Sequence, residues 1–194
     1  MGRIFCLCGK SSTGKDTIFR ELLKSEKNLK KIVTYTTRPI RKKEKDGEEY
    51  HFVTEKELEE YRNKNLLVEC RTYNTVYGPW HYFTVDENFD TDSFNYLLIG
   101  TLEAYLKLRQ YFGAEKVVPI YVDLEDGERL RRALNRERKQ KEPRYREMCR
   151  RFLADSEDFS PEKLEEAGIG LVFENDNLEK CLGEIREYIN GYKS

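Results

Sequence analysis

The chain has 194 residues, enough for one well-cored domain with room for an inserted lobe. Its 38% hydrophobic and 37% charged residues exclude a disordered polypeptide, and a net charge of −1 excludes bulk attraction to nucleic acid or an anionic membrane. The five cysteines (Cys6, Cys8, Cys70, Cys149, Cys181) form no C-x-x-C pair, so no disulfide framework or zinc site is expected and the setting reads as a reducing cytoplasm.

The first apolar run, "RIFCLC" over Arg3–Cys8, predicts a buried strand with Cys6 and Cys8 on one face. It is too short for a secretory signal, and no segment reaches the roughly 20 apolar residues that span a bilayer. A glycine loop follows over Gly9–Lys15, then "DTIFRELLKSEKN", whose Ile18, Leu22 and Leu23 form a helical stripe. Residues 32–37 ("IVTYTT") alternate and are β-branched, which predicts a strand. Residues 38–92 change character, with a basic turn, short β runs such as "YHFV", a helix near Glu55–Lys64 and a Gly-Pro turn at 78–79. A strand at Asn95–Ile99, a helix from Leu102 to Phe112 and a strand at Lys116–Val122 resume a βα alternation, which calls for a parallel sheet with helices on both faces. Helices at Gly127–Lys139 and Arg144–Phe159, a strand at Gly170–Glu174 and a helix at Leu178–Asn190 complete the chain.

Gly9, Gly14 and Lys15 fit G-x-x-x-x-G-K. Glycines let the backbone turn several N–H groups toward phosphate oxygens, the following helix adds its N-terminal dipole, and the lysine neutralises the transferring end. The strand before the loop and the helix after it are the context this pattern needs. The expected ATP-binding set is Gly9, Ser11, Ser12, Thr13, Gly14, Lys15, Asp16 and Thr17. Asp16 stands where such loops carry a hydroxyl for magnesium. Its carboxylate is either a hard-oxygen ligand for Mg2+ or a favourable charge in the first helical turn.

"TYTTRPIRKKEKDGEEYHFVT" (34–54) resembles the acceptor-binding segment of guanylate kinases, "LVECRTYNTVYG" (67–78) their second acceptor segment, and "VFENDNLEK" (172–180) their C-terminal strand-to-helix passage. The resemblance implies a P-loop α/β fold, a parallel sheet flanked by helices with an acceptor-binding α/β lobe and a helical lid. Here these divide as core 1–33, 93–125 and 160–194, lobe 34–92 and lid 126–159. It implies that Arg38, Arg41, Tyr50 and Tyr77 hold the acceptor phosphate, that Glu44 orients the arginines, and that Glu69 and Thr34 read guanine. Arg132, Arg136 and Arg151 match lid arginines that close over the phosphates, and Asn175 matches an asparagine near the donor base. Forked guanidinium–phosphate pairing and two-point hydrogen bonding to the base suit those residue types.

The chain departs from that pattern at Ile99 and Thr101, where the family carries two aspartates, and at Pro79, Lys10 and Ser12. Thr101 is kept as an acceptor-site candidate, and Asp16 is the carboxylate that could replace the lost pair at the metal. The implied activity is Mg2+- and ATP-dependent phosphorylation of GMP, and of dGMP, with no nucleic-acid or membrane partner. Two alternatives stay open: a kinase of the same fold for another small phosphorylated acceptor, and a non-catalytic nucleotide- or peptide-binding module.

Overall fold

A computed structural model describes residues 2–42, 44–75 and 78–192. Nine strands and seven helices are assigned among them. Five strands, β1 (Ile4–Cys8), β2 (Leu29–Lys31), β7 (Asn95–Ile99), β8 (Val117–Asp123) and β9 (Val172–Glu174), form one sheet in the order β2-β7-β1-β8-β9. Every pairing in it is parallel. The pleat sorts β1 as the alternation predicts. Ile4, Cys6 and Cys8 enter one hydrophobic cluster with α3 (Leu102–Phe112), while Phe5 and Leu7 enter another with α1 (Lys15–Ser25) and α7 (Leu178–Asn190). Burial of β1 on both faces explains its unbroken apolar sequence.

The lobe has its own sheet, β4-β3-β6-β5, from β3 (Tyr35–Thr36), β4 (His51–Phe52), β5 (Leu67–Thr75) and β6 (Gly78–Val85), with α2 (Glu55–Asn63) packed on it. Tyr35, Leu58, Phe83 and Val85 fill a separate small core between helix and sheet. Thr54 and Glu57 close a capping box at the start of α2. The second face of this sheet carries polar side chains together with the rings of Phe52 and Tyr82.

Of the strand predicted over 32–37 only Tyr35–Thr36 forms, in the lobe sheet; Leu29–Lys31, before the predicted range, joins the main sheet, and the segment between them is the crossing from one sheet to the other. Gly78 and Pro79, expected as a turn, are the first residues of β6, paired with Thr75 and Asn74. A short helix, α6 (Pro161–Glu166), follows the lid and was not expected; Ser160 caps it and Pro161 occupies its first turn. The lid residues form α4 (Asp126–Arg138) and α5 (Tyr145–Asp158).

Candidate active site

The parallel sheet points the C-terminal ends of β1, β7, β8 and β9 the same way, and that is the edge where open α/β sheets bind ligands. The glycine loop leaves β1, Thr101 follows β7, α4 follows β8 and Asn175 follows β9. A Cβ on Gly9, which has φ +145°, would sit 2.1 Å from the Val122 carbonyl oxygen, and one on Gly14, φ +98°, would sit 2.3 Å from Asn175 Nδ2. Both positions therefore require glycine. Ser12 also has positive φ, 67°, so the loop holds a non-glycine residue in a left-handed conformation.

The Lys15 ammonium donates to the carbonyls of Gly9 and Lys10, both at 2.7 Å. Burial lowers its pKa to about 8, against the opposing pull of Asp16 and Asp155. Thr13 donates to the Lys10 carbonyl at 3.0 Å, and Asn175 Nδ2 donates to the Thr13 carbonyl at 2.6 Å. Asn175 is thus a buried clamp on the loop, which Arg132 reaches by donating to the Asn175 carbonyl at 3.2 Å.

The tip of the loop is bound to α4 and α5. Arg129, fully buried, donates to the Ser11 carbonyl at 3.1 Å and pairs with Asp126 and with Asp155. Asp155 accepts the Ser11 backbone N–H at 2.8 Å, and Arg151 donates to the Ser11 hydroxyl at 3.0 Å. The Phe152 ring lies 4.6 Å from the Arg129 guanidinium carbon. Arg129 and Asp155 were not singled out from the sequence, where they are lost among other charges. Arg136 lies one turn beyond Arg132 and is exposed, with no side-chain contact to the loop among the described residues.

Across the cleft, the polar face of the lobe sheet carries Arg38, Tyr50, Glu69 and Tyr82. Arg38 is 3% exposed and forks onto Glu44 with two bonds of 2.8 Å. It also donates to the Pro39 carbonyl at 2.9 Å and to the Tyr82 hydroxyl at 3.1 Å. Burial pulls its pKa down, but Glu44 and Tyr82 reverse the direction. Most of its donors are engaged internally. Arg41, exposed, gives its backbone N–H to Glu44 at 2.8 Å, and its guanidinium makes no hydrogen bond among the described residues. Tyr50 meets the Tyr82 ring edge to face, 5.6 Å between centroids. Burial raises its pKa, and its hydroxyl stands in the fields of Arg38, Arg71 and Asp16.

Glu69 is fully buried in its side chain and held by Arg71 and Thr84. A bulge between Leu67 and Glu69 turns it opposite Thr84. Thr101 caps α3 by accepting the Ala104 N–H at 3.2 Å, and it accepts from Arg71 at 3.4 Å. Thr34 is half-buried, and its carbonyl accepts the His51 N–H at 2.9 Å. Tyr77 lies outside the described residues. Arg71 and Tyr82 were not identified from the sequence; an i, i+2 Glu-x-Arg on one strand face was the available signal for Arg71.

The resemblance implies magnesium with ATP, and the donors present fit a site of low protein denticity. No group of three or more His, Cys, Asp or Glu that could hold a metal exists among the described residues. Mg2+ instead needs one or two carboxylates beside phosphates and waters. Asp16, exposed on the first turn of α1 and within the field of Lys15 and Tyr50, meets that need. Ser12 Oγ is buried with no hydrogen-bond partner, an oxygen the loop itself leaves unused.

A strand, a glycine loop with its lysine, and a helix beneath a charged helical pair define a nucleotide-binding α/β protein of the phosphate-loop kind. Residues 1–192 match the family described as guanylate kinase, and the chain belongs to that family. A guanylate kinase of Thermotoga maritima is 39% identical over 83 residues, 42% of this chain and 40% of that protein. One of Prochlorococcus marinus is 30% identical over 110 residues, 57% of this chain and 59% of that protein. The matched stretches therefore cover roughly half the length of these relatives. The crystal structure of guanylate kinase from Anaplasma phagocytophilum superposes with a TM-score of 0.70 at 23% identity, over 98% of this chain and 85% of that one, a likeness of fold.

Proposed function

We propose that the chain transfers the terminal phosphoryl group of ATP to GMP, and to dGMP, giving ADP and the diphosphate. The observation that carries this reading is the opposition of two anion-binding halves, the Lys15 loop at the sheet edge and the Arg38–Arg41–Tyr50 face of the lobe. Gly9, Ser11, Ser12, Thr13, Gly14, Lys15 and Thr17 would cradle the donor phosphates. Arg41 and Tyr50 would take the acceptor phosphate directly, with Arg38 fixed by Glu44 behind them. Arg132 and Arg151 already reach the loop, and Arg136 would complete the lid set on closure of residues 126–159 over the donor.

Mg2+, when bound, supplies neutralisation of the charge between donor oxygens, and Asp16 would hold it. The chain's own contribution is positioning and electrostatics in a site from which the lid excludes water. No general base is needed, because the acceptor phosphate is already an anion. A site built on charge and loop amides does not require a titrating nucleophile, and His51 and His81 belong to the lobe.

The test is ADP release with ATP and magnesium against GMP, dGMP, IMP, AMP, CMP, UMP and dTMP. Turnover limited to purines with a 6-oxo group supports the reading, and silence with all acceptors removes it. Replacing Asp16 with Ser should raise the magnesium concentration for half-activity about tenfold; unchanged magnesium dependence would leave Asp16 as a helix-turn charge only. A same-fold kinase for a different acceptor is the second reading, favoured by the engagement of Glu69 with Arg71.

A further inference from the structure

The lobe face holds a buried pair that the reading above does not use. Arg71 Nε donates to Glu69 Oε2 at 2.9 Å and Arg71 Nη2 donates to Oε1 at 3.3 Å, while Thr84 Oγ1 donates to Oε1 at 2.9 Å. The Glu69 side chain is 0% exposed and that of Arg71 is 12% exposed. Three of the roughly four acceptor positions of the carboxylate are thus filled inside the protein. With no part of the side chain exposed, guanine's N1–H and 2-amino group could together reach it only by displacing the guanidinium, which would leave a buried cation without its partner.

Arg71 is in the opposite condition. Of its five N–H groups, two go to Glu69 and one to Thr101 Oγ1 at 3.4 Å. One hydrogen on each terminal nitrogen has no partner among the described residues, and the flat end of the group, toward which each terminal nitrogen directs one hydrogen, is the fork a ligand would meet. A fork of that shape pairs with two adjacent acceptors. In a purine these are O6 and N7 of a 6-oxo base; adenine presents N7 beside a donor instead. The surroundings suit a base: Arg71 lies opposite Tyr82 in the β5–β6 ladder, contacts Thr101 at the end of β7, and projects its field onto the Tyr50 hydroxyl.

We infer that Arg71, with Glu69 as its buried counter-ion, reads the O6 and N7 edge of the acceptor base while the 2-amino group goes unread. The substrate class is then 6-oxopurine nucleoside monophosphates, with IMP taken about as well as GMP. This rests on the reading of the lobe as the acceptor site.

The experiment is calorimetric binding of GMP, IMP, AMP and 7-deaza-GMP to the full chain, with phosphorylation of the same four measured in parallel. IMP should bind within about threefold of GMP, and AMP and 7-deaza-GMP about ten- to hundredfold more weakly. Arg71→Met should bring GMP and 7-deaza-GMP to the same affinity. Because that change strands the Glu69 charge, the Glu69→Gln, Arg71→Met double variant is measured beside it and should show the same levelling. IMP binding tenfold or more weakly than GMP, with 7-deaza-GMP unchanged, would overturn the inference, as would failure of every 6-oxopurine nucleotide to bind. The expected binding pattern without turnover would remove the phosphotransfer reading and leave the recognition standing. Turnover that depends on the 2-amino group would do the reverse.

Discussion

The two halves of the cleft are held together in different ways. At the phosphate loop the contacts span the chain: Ser11 meets Asp155, Arg151 and Arg129 at sequence separations of 144, 140 and 118. On the lobe the ion pairs are local, with Arg38 and Glu44 six residues apart and Glu69 and Arg71 two apart. A donor site assembled from distant elements depends on the whole fold. Ion pairs made within a few residues of one strand or turn can change by local substitution while the core stays as it is. The Glu69–Arg71 pair, two residues apart on one strand, is of the second kind.

The sharpest way to probe this contrast is to attack each half in turn. Lys15→Met should lower kcat/KM for every acceptor alike, by roughly 10²- to 10³-fold, since it removes a donor to the transferring group; an effect confined to one acceptor would contradict its place on the donor side. Asp155→Asn should cost about 2 kcal/mol, lowering Tm by about 4–8 °C, and should speed amide exchange in the loop, α4 and α5 together. Glu44→Gln, the matched change on the lobe, should raise the acceptor KM about fivefold and move Tm by less than about 3 °C, with faster exchange confined to residues 38–52. Equal spread of the two exchange maps would break the comparison.

The smallest expected effect is a pH dependence. Lys15 titrates at about 8 in the folded protein and at 10.5 ordinarily. Below pH 8 both folded and unfolded chains carry the proton and the cost of burying the charge is fully present. Between these values the unfolded chain binds the proton and the folded one does not, so stability of the nucleotide-free protein should rise, by about 1 kcal/mol from pH 8 to 9. ATP affinity should fall across the same interval, because a neutral amine no longer attracts phosphate. Denaturant melts and calorimetry at both pH values check the pair, and Lys15→Met should flatten each.

The sheet, the phosphate loop and the paired lid helices were legible in the sequence because each rests on a local pattern: β1's apolar run, the Gly9–Gly14–Lys15 spacing, the stripe of α1. The break between β2 and β3 was not, since Ile32, buried in the main core, carries the alternation straight through the crossing. Helix α6 has six residues, too few to display a period. In α4 Leu130 is 38% exposed and the buried positions are Arg129, Ala133 and Glu137. That face packs on polar loop atoms and on α5, so its burial follows hydrogen bonding rather than hydropathy. The site candidates Gly9, Gly14 and Lys15 were readable as types at a spacing and Arg38 through the family resemblance of its segment, whereas Arg71 and Asp155 acquire meaning only from the side chains that fold against them.

The Ser11 amide has a consequence for timing. Its hydrogen is held by a carboxylate on α5 rather than by the loop's own turn, so it can exchange with solvent only when α5 and the loop part. One backbone deuterium in the nucleotide-free protein would thus count the separations of lid and loop directly, and the same count would set the tempo at which a donor nucleotide can enter or leave.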